Sequence, residues 1–194
     1  TWKSRGLGDV YKRQMLTRPL EDSKELIIKF KSLGYDVSHL PVIKIVKQEI
    51  KNIDLLEFAG IIFTSANSVK FLDTKKLNKS IYCFCVGSAT EKEALNKGFQ
   101  NVYAADGNVN NLKEIIIQNY NKKKGKLLYV SGELITTNLH KQLIDEDYQV
   151  ERIVNYNVEH ITELDLKFID QLKKNMPNII SVSYTHLRAH ETSR

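Results

Sequence analysis

Residues 61–67, Ile-Ile-Phe-Thr-Ser-Ala-Asn, decide the fold. Their apolar run predicts a buried strand, and the small polar residues after it predict a turn that leads into a helix. The same order recurs at Ile81–Val86, where the apolar run is followed by Gly87-Ser88 and a helical pattern. Strands that alternate with helices in this way predict an α/β fold built on parallel sheets, with helices on both faces.

Further strand–helix units flank this core. Strands are predicted at Met15-Leu16, Val102-Tyr103-Ala104, Leu127–Val130, Gln149–Val158 and Asn178–Val182. The stretch Val37–Val46 also alternates as a strand does, but Pro41 restricts it to an edge or a linker.

Local signals predict where several helices begin and end. The first helix should start after Asp22 or Ser23 and stop at Gly34. Ser88 and Glu91 have the spacing of a capping box. A further helix, carrying Ile135, Leu139 and Leu143, is expected directly after Ser131-Gly132.

Composition narrows the class of protein. The 194 residues allow one domain or two small ones, and a hydrophobic fraction of 42% excludes a disordered chain. No apolar run approaches the roughly 18–20 residues of a membrane span, so no membrane association is expected. Two cysteines cannot form a disulfide scaffold, which predicts a reducing, cytoplasmic location.

The formal charge of +6 resides mainly at the ends of the chain. Residues 1–14 and 183–194 break the pattern of the interior, and we interpret them as non-native flanks, the alternative being genuine disordered tails. The interior carries only +2. Nucleic-acid binding is therefore not expected.

Several kinds of site are not supported by the motifs. The sequence has no G-x-G-x-x-G, no phosphate-binding P-loop and no G-x-S-x-G elbow. His39, His140 and His160 are scattered without metal-ligand spacing, so no metal site is predicted. Cys83 and Cys85 lie two apart on a predicted strand and are interpreted as buried, reduced thiols on one face.

Four turns between a strand and a helix offer the main functional signal. They are Thr64-Ser65, Gly87-Ser88, Asp106-Gly107-Asn108 and Ser131-Gly132. Because parallel strands end at one edge, their free N–H groups and helix dipoles would face one crevice and could hold anionic oxygens. The alternative is that these residues are simply good caps and turn formers.

The ordered motifs resemble the uroporphyrinogen-III synthase family from about Met15 to Val182. The resemblance rests on Leu16-Thr17-Arg18-Pro19, Gly34-Tyr35-Asp36-Val37, Pro41-Val42-Ile43, residues 63–69 (Phe-Thr-Ser-Ala-Asn-Ser-Val), Val86-Gly87-Ser88-Ala89-Thr90, Leu95 with Gly98-Phe99, Leu112, Ser131-Gly132 and Val154-Asn155-Tyr156.

The resemblance implies two flavodoxin-like parallel-sheet domains joined by a two-stranded linker, with the second domain inserted into the first. The first domain would comprise residues 15–36 and 161–182, the linker strands residues 37–49 and 151–160, and the inserted domain residues 50–150. The later strand–helix units of the first domain would follow Val182 and are expected to be missing. This truncation leaves the activity of the fragment itself open.

The resemblance also implies an activity. The family closes hydroxymethylbilane, a linear tetrapyrrole with eight carboxylates, into uroporphyrinogen III with inversion of ring D and loss of water. A lyase of haem biosynthesis is therefore expected, cytoplasmic and monomeric, with this small molecule as its partner and without a cofactor.

The family's site lies between its domains, and main-chain N–H groups hold much of the substrate. Tyr156 matches the family's cleft tyrosine, and we assign it to assisting departure of the hydroxyl group. Arg18 would face the cleft or be structural, and Glu133 departs from the usual residue after the Ser131-Gly132 turn. The candidate substrate-binding residues are Thr64, Ser65, Ala66, Ser68, Gly87, Ser88, Thr90, Asn108, Ser131, Gly132 and Arg18.

Two other functions stay open at this point. One is a non-catalytic tetrapyrrole-binding module on the same fold. The other is an unrelated flavodoxin-like domain that binds a phosphate-bearing ligand such as FMN.

Overall fold

The computed structural model describes residues 13–50, 53–163 and 165–182. The chain forms two compact units. The larger unit is Val46–Val158, and the smaller comprises the described residues up to Ile45 and from Glu159 onward. The predicted non-native flanks lie outside the described residues except for Arg13 and Gln14, which belong to the first strand.

A six-stranded sheet forms the centre of the larger unit. Its strand order is β3-β8-β7-β4-β5-β6, and every pairing from β8 to β6 is parallel. This confirms the predicted α/β class with parallel sheets. The strands are β3 (Ile43–Lys47), β4 (Phe58–Phe63), β5 (Tyr82–Val86), β6 (Asn101–Ala105), β7 (Lys126–Gly132) and β8 (Val150–His160).

Alternation along the central strands builds two apolar clusters, one on each face of the sheet. On β4, Ile61 and Phe63 belong to one cluster, whereas Ile62 belongs to the other. Successive strand residues point to opposite faces, so a strand buried on both sides reads as a continuous apolar run. This is why Ile61-Ile62-Phe63 identifies the fold.

Four α-helices cover the faces of this sheet. Two of them supply residues to the cluster that contains Ile61 and Phe63, called the Ile61 cluster. The other two supply residues to the cluster that contains Ile62, called the Ile62 cluster. They are α2 (Ala66–Phe71), α3 (Ser88–Asn96), α4 (Val109–Asn119) and α5 (Leu139–Ile144). Short 3₁₀ turns also occur at Leu55–Glu57 and Lys122–Lys124.

The predicted capping box at the start of α3 is wrong. Gly87, at φ 78°, is the N-cap, and no side-chain hydrogen bond caps the helix. The N–H groups of Thr90 and Glu91 donate to the Gly87 carbonyl at 3.2 and 3.1 Å. A positive φ is readily adopted only by glycine, so the turn places the cap one residue earlier than Ser88.

The helix expected directly after Ser131-Gly132 starts later than predicted. Asn138 is its N-cap, and the Asn138 side chain accepts from the Lys141 N–H. Ile135 therefore lies in a loop rather than on the helix. Ile135 and Leu139 have the i, i+4 spacing that is typical of one face of a helix. The Asn138 cap nevertheless starts the helix after Ile135.

The smaller unit contains a three-stranded parallel sheet of order β2-β1-β9. Its strands are β1 (Arg13–Leu16), β2 (Asp36–His39) and β9 (Ile179–Ser181), and its helices are α1 (Leu20–Ser32) and α6 (Leu166–Lys174). The start expected for α1 after Asp22 or Ser23 is wrong, because the helix begins at Leu20 with Pro19 as N-cap.

The stretch Val37–Val46 is divided between the two sheets. β2 pairs with β1 in the three-stranded sheet, whereas β3 pairs with β8 at the edge of the six-stranded sheet. Pro41 lies between the two strands. Since proline has no N–H to donate to a ladder, it marks the interruption rather than an edge position within one strand.

The two cysteines form a buried pair of thiols, as predicted. Cys83 and Cys85 are both fully buried, and their Sγ atoms lie 3.8 Å apart on one face of β5. The hydrogen bond to Cys85, together with burial, raises the pKa of the Cys83 thiol. The Cys83 thiol is thus a poor nucleophile, and both cysteines serve as small core residues.

Within the described part of the chain, none of the helices combines the length and apolar character that crossing a membrane requires.

Truncating a core residue of α4 should cost far more stability than truncating an exposed residue of the same helix. Leu112 is fully buried, whereas Ile117 is 43% exposed. We expect Leu112→Ala to lower the free energy of unfolding by about 3 kcal/mol, because it leaves a cavity in the Ile62 cluster. Ile117→Ala should cost less than about 1 kcal/mol. Urea denaturation measures both, and equal losses would contradict the placement of α4.

Candidate functional site

A cavity of about 160 Å³ lies within the larger unit at the carboxyl ends of β4 and β7, beside Tyr156 of β8. In parallel α/β sheets this is the edge at which ligands bind. Hydroxyl groups are prominent in its wall. The lining residues are Thr64, Ser65, Val109, Tyr129, Gly132, Leu134, Ile135, Thr136, Thr137 and Tyr156.

A β-bulge aims Tyr156 at this cavity. Ser131 of β7 lies opposite Val154 of β8, but the next residue, Gly132, lies opposite Tyr156. Asn155 is therefore the extra residue on β8. Bulges bend a strand locally and redirect the side chains that follow, and here the redirected side chain is the predicted catalytic tyrosine.

Gly132 allows the Tyr156 ring to lie directly over the backbone of β7. A Cβ atom placed on Gly132 would come within 2.6 Å of two ring carbons of Tyr156 and 2.9 Å of its hydroxyl oxygen. Real Cβ atoms essentially never lie so close to other atoms, so any side chain at position 132 would force the Tyr156 ring to shift. The glycine is thus required by close approach, and it sets the position of the phenol.

The extra residue of the bulge anchors the neighbouring helix α2. Asn155 is fully buried, and its Nδ2 donates to the Ser68 carbonyl at 2.8 Å. The Ser68 hydroxyl donates in turn to the Ser65 carbonyl at 2.6 Å. The turn that carries Ser65 and the strand that carries Tyr156 are therefore joined by two hydrogen bonds, one buried and one partly buried, which restrict their relative movement.

Two hydroxyl groups form a pair in the cavity wall. The Thr64 Oγ1 and the Tyr129 Oη lie 3.2 Å apart, and either can donate. Burial raises the pKa of the Tyr129 phenol above its ordinary value of 10.0, against the opposing effects of the Thr64 hydrogen bond and the Arg152 charge. Tyr129 consequently keeps its proton at neutral pH and is not a base there.

Arg152 clamps the chain segment that follows β7. Its Nε donates to the Ser131 Oγ at 2.8 Å, and its Nη2 donates to the carbonyls of Gly132 and Glu133 at 2.8 and 3.0 Å. The guanidinium group thereby holds the chain on both sides of the glycine that underlies Tyr156. Such charge-assisted bonds are stronger than neutral ones.

The structure brings four of the predicted site residues into the cavity wall: Thr64, Ser65, Gly132 and Tyr156. The other candidates in the larger unit lie outside it, namely Ala66, Ser68, Gly87, Ser88, Thr90, Asn108 and Ser131. Arg18 belongs to the smaller unit, where its backbone carbonyl accepts from the His39 Nε2 at 2.8 Å.

Several of these outlying candidates have structural tasks. Ser68 and Thr90 are buried, and Asn108 caps α4 by accepting from the Asn111 N–H at 2.9 Å. The Glu133 N–H donates to the Tyr156 carbonyl at 3.0 Å. The Glu133 amide in the turn after β7 therefore bonds within the protein and is not offered to a ligand, although Gly132 still lines the cavity.

Sequence reasoning missed Tyr129 and the loop from Leu134 to Thr137. Tyr129 lies two residues before Ser131, so strand alternation alone would have placed both on one face toward the same edge. The loop was missed because Ile135 had been assigned to a helix.

Among the described residues, no group of three or more histidine, cysteine, aspartate or glutamate side chains is arranged to hold a metal ion. The cavity instead gathers phenol and hydroxyl donors. Such a wall can position oxygen atoms of a ligand and polarise them.

Gly132→Ala should displace the Tyr156 ring. We expect a loss of about 1–3 kcal/mol in the free energy of unfolding, the usual range for an atom forced into a packed site. In a Tyr156→Ala background the same change should cost almost nothing, because the clashing ring is gone. Thermal and urea unfolding of the four proteins in this cycle measure the coupling, and additive losses would contradict the contact.

Comparison with known proteins relates this geometry to a family. The family described as "Uroporphyrinogen-III synthase HemD" matches residues 24–183. The uroporphyrinogen-III synthetase from Helicobacter pylori is similar in fold, with a TM-score of 0.61 at 19% identity over 92% of this chain and 76% of that chain. A mutant uroporphyrinogen III synthase from Thermus thermophilus gives 0.50 at 14% identity, over 87% and 71% respectively.

A search of curated protein sequences gave no match. At these identities the solved structures show the fold alone, and it is the family match, extending over most of the sequence, that shows descent. It confirms the resemblance seen in the motifs. The chain belongs to the uroporphyrinogen-III synthase family, lyases of haem biosynthesis.

Proposed function

We propose that the cavity at the carboxyl edge of the six-stranded sheet is part of the tetrapyrrole site and that Tyr156 assists the chemistry there. The reaction is ring closure of hydroxymethylbilane to uroporphyrinogen III with inversion of ring D and loss of water. The observation that carries the proposal is the bulge at Asn155, which lays Tyr156 over Gly132 in the wall of the cavity.

The size of the cavity limits what it holds. Sites that enclose a whole drug-sized ligand usually measure about 300–1,000 Å³, whereas this one measures about 160 Å³. We therefore assign it to one end of the substrate, a single pyrrole ring with a carboxylate arm or the terminal hydroxymethyl group.

Tyr156 would act when the hydroxyl group departs. The C–O bond breaks, its electron pair goes to the oxygen, and the pyrrole carries the positive charge until it loses its N–H proton to give the azafulvene. A phenol O–H that donates to the departing oxygen stabilises the charge that develops on it. The ring nitrogen's electrons supply the driving force, so no cofactor is required for this step.

Neutral donors would hold the carboxylate arm. The Ser65 Oγ accepts from the Asn67 N–H at 3.2 Å, which leaves the Ser65 hydroxyl proton for a ligand. Thr136 and Thr137 add hydroxyl groups from the loop before α5. Hydrogen bonds to a charged acceptor are about twice as strong as neutral ones, so a few such donors suffice.

We also propose the family's domain arrangement for this chain. The larger unit would be the inserted domain, the smaller unit would be the first domain, and both would be flavodoxin-like. Support comes from β3 and β8, which pair with each other and each continue from one unit into the other. A cytoplasmic monomer acting on a small molecule is consistent with this arrangement.

The direct test is the isomer formed from hydroxymethylbilane. The chain should give the type III isomer, whereas the spontaneous reaction gives type I. Tyr156→Phe should lower kcat by about a hundredfold, as expected for loss of a group that transfers or shares a proton in the transition state. Chromatography of the oxidised porphyrins measures both products.

A matched control is Tyr120→Phe, since the Tyr120 hydroxyl donates to the Gly125 carbonyl in the core of the same unit. It should alter stability but not the isomer ratio. Type I product alone from the wild-type chain would refute the proposed activity, and binding without turnover would favour a non-catalytic tetrapyrrole-binding module.

A further inference from the structure

The described tyrosines buried in the larger unit differ in what their hydroxyl groups bind. Tyr120 donates to the Gly125 carbonyl at 3.0 Å, and Tyr148 donates to the Tyr120 carbonyl at 3.3 Å. A carbonyl oxygen can only accept a hydrogen bond. The single hydroxyl proton of each of these two phenols is therefore taken up within the protein. Tyr129 instead meets another hydroxyl group, that of Thr64, at 3.2 Å.

A pair of hydroxyl groups holds two protons, and the bond between them uses one. The second proton remains for another acceptor. The Ser131 hydroxyl also interacts with Tyr129 and keeps one acceptor position beside the bond from Arg152, so it can take this proton when the cavity is empty, but a carboxylate is the stronger acceptor because it is charged. Both members of the Thr64–Tyr129 pair line the cavity that contains Tyr156.

The order of donation within the pair follows from acidity. A phenol is a stronger acid than an aliphatic alcohol and hence the better donor to an anion. With an anion in the cavity, the favoured order is therefore that Thr64 donates to the Tyr129 oxygen and Tyr129 donates to the anion. Hydrogen bonds in such a chain strengthen one another, and the Tyr129 ring is held rigidly because it is 1% exposed in the Ile62 cluster.

We propose that Tyr129 is a second substrate-binding phenol, which donates a hydrogen bond to a carboxylate of the tetrapyrrole while Thr64 supports it from behind. This assignment rests on the proposed function and gives the two phenols of the cavity different roles. Tyr156 serves the departing hydroxyl, and Tyr129 holds a carboxylate. Neither resemblance nor turn chemistry pointed to Tyr129.

The two phenols should differ in kinetics. Tyr129→Phe removes only the donor oxygen, so KM for hydroxymethylbilane should rise about tenfold, the cost of losing one hydrogen bond to a charged acceptor. The value of kcat should stay within about twofold, because a carboxylate is held equally in the ground and transition states. A fall in kcat without a rise in KM, or no change in either, would overturn the proposal.

The control is Tyr148→Phe, which removes a buried hydroxyl of the same unit that is bonded to a carbonyl. Tyr148→Phe should leave KM and kcat for hydroxymethylbilane unchanged. It should lower the melting temperature about as much as Tyr129→Phe does. If Tyr148→Phe raises KM as much as Tyr129→Phe does, the effect is one of general stability and the proposal fails.

Thr64 provides a second, independent test should Tyr129→Phe fail to fold. Thr64→Val should raise KM by about two- to threefold, and Thr64→Ser, which keeps the hydroxyl, should raise it less. In the Tyr129→Phe background, Thr64→Val should add almost nothing, since the two groups act as one donor. Equal KM values for the valine and serine variants would overturn the proposal.

Failure of the proposed function looks different. In that case the wild-type chain forms no type III isomer and does not bind uroporphyrin, an octacarboxylate whose binding can be followed by its fluorescence. The assignment of Tyr129 then falls with it. If the wild-type chain is active and the variants behave alike, only the assignment of Tyr129 falls.

Discussion

The close approach of the Tyr156 ring to Gly132, which leaves no room for a Cβ atom there, is the constraint on which the candidate site depends. It exists because β8 carries one more residue than β7 at this point, and because β7 offers a position without a side chain. The extra residue, Asn155, is buried and bonded to α2. This one irregularity in the strand pairing therefore fixes the positions of the Tyr156 phenol, of the Asn155 side chain and of the turn before α2.

Charged side chains play a small part around this close approach. Arg152 is a nearby cation, but three of its hydrogen bonds go to Ser131, Gly132 and Glu133. It stabilises the segment under Tyr156 and opposes the effect of burial on the Tyr129 pKa. The cavity wall itself presents hydroxyl groups, phenols and glycine.

Local rules in the sequence predicted the parts of the fold that depend on near neighbours. The apolar run at Ile61–Phe63 predicted β4, and the small residues after it predicted the turn with Thr64 and Ser65. Family resemblance predicted Tyr156. The bulge could not be foreseen, because it depends on the register between β7 and β8. Tyr129 was overlooked because its ring packs in the core, although the residue also lines the cavity.

Neutral donors also suit the proposed chemistry better than lysines would. Departure of the hydroxyl group leaves a positive charge on the pyrrole, and a fixed ammonium group nearby would raise the energy of that state. A phenol or a hydroxyl stabilises the oxygen that leaves, or a carboxylate that stays, without opposing this charge. A substrate with many carboxylates does not therefore demand a basic protein: the interior charge of only +2 fits a site in which hydrogen bonds hold the anions and the cationic intermediate is left unopposed.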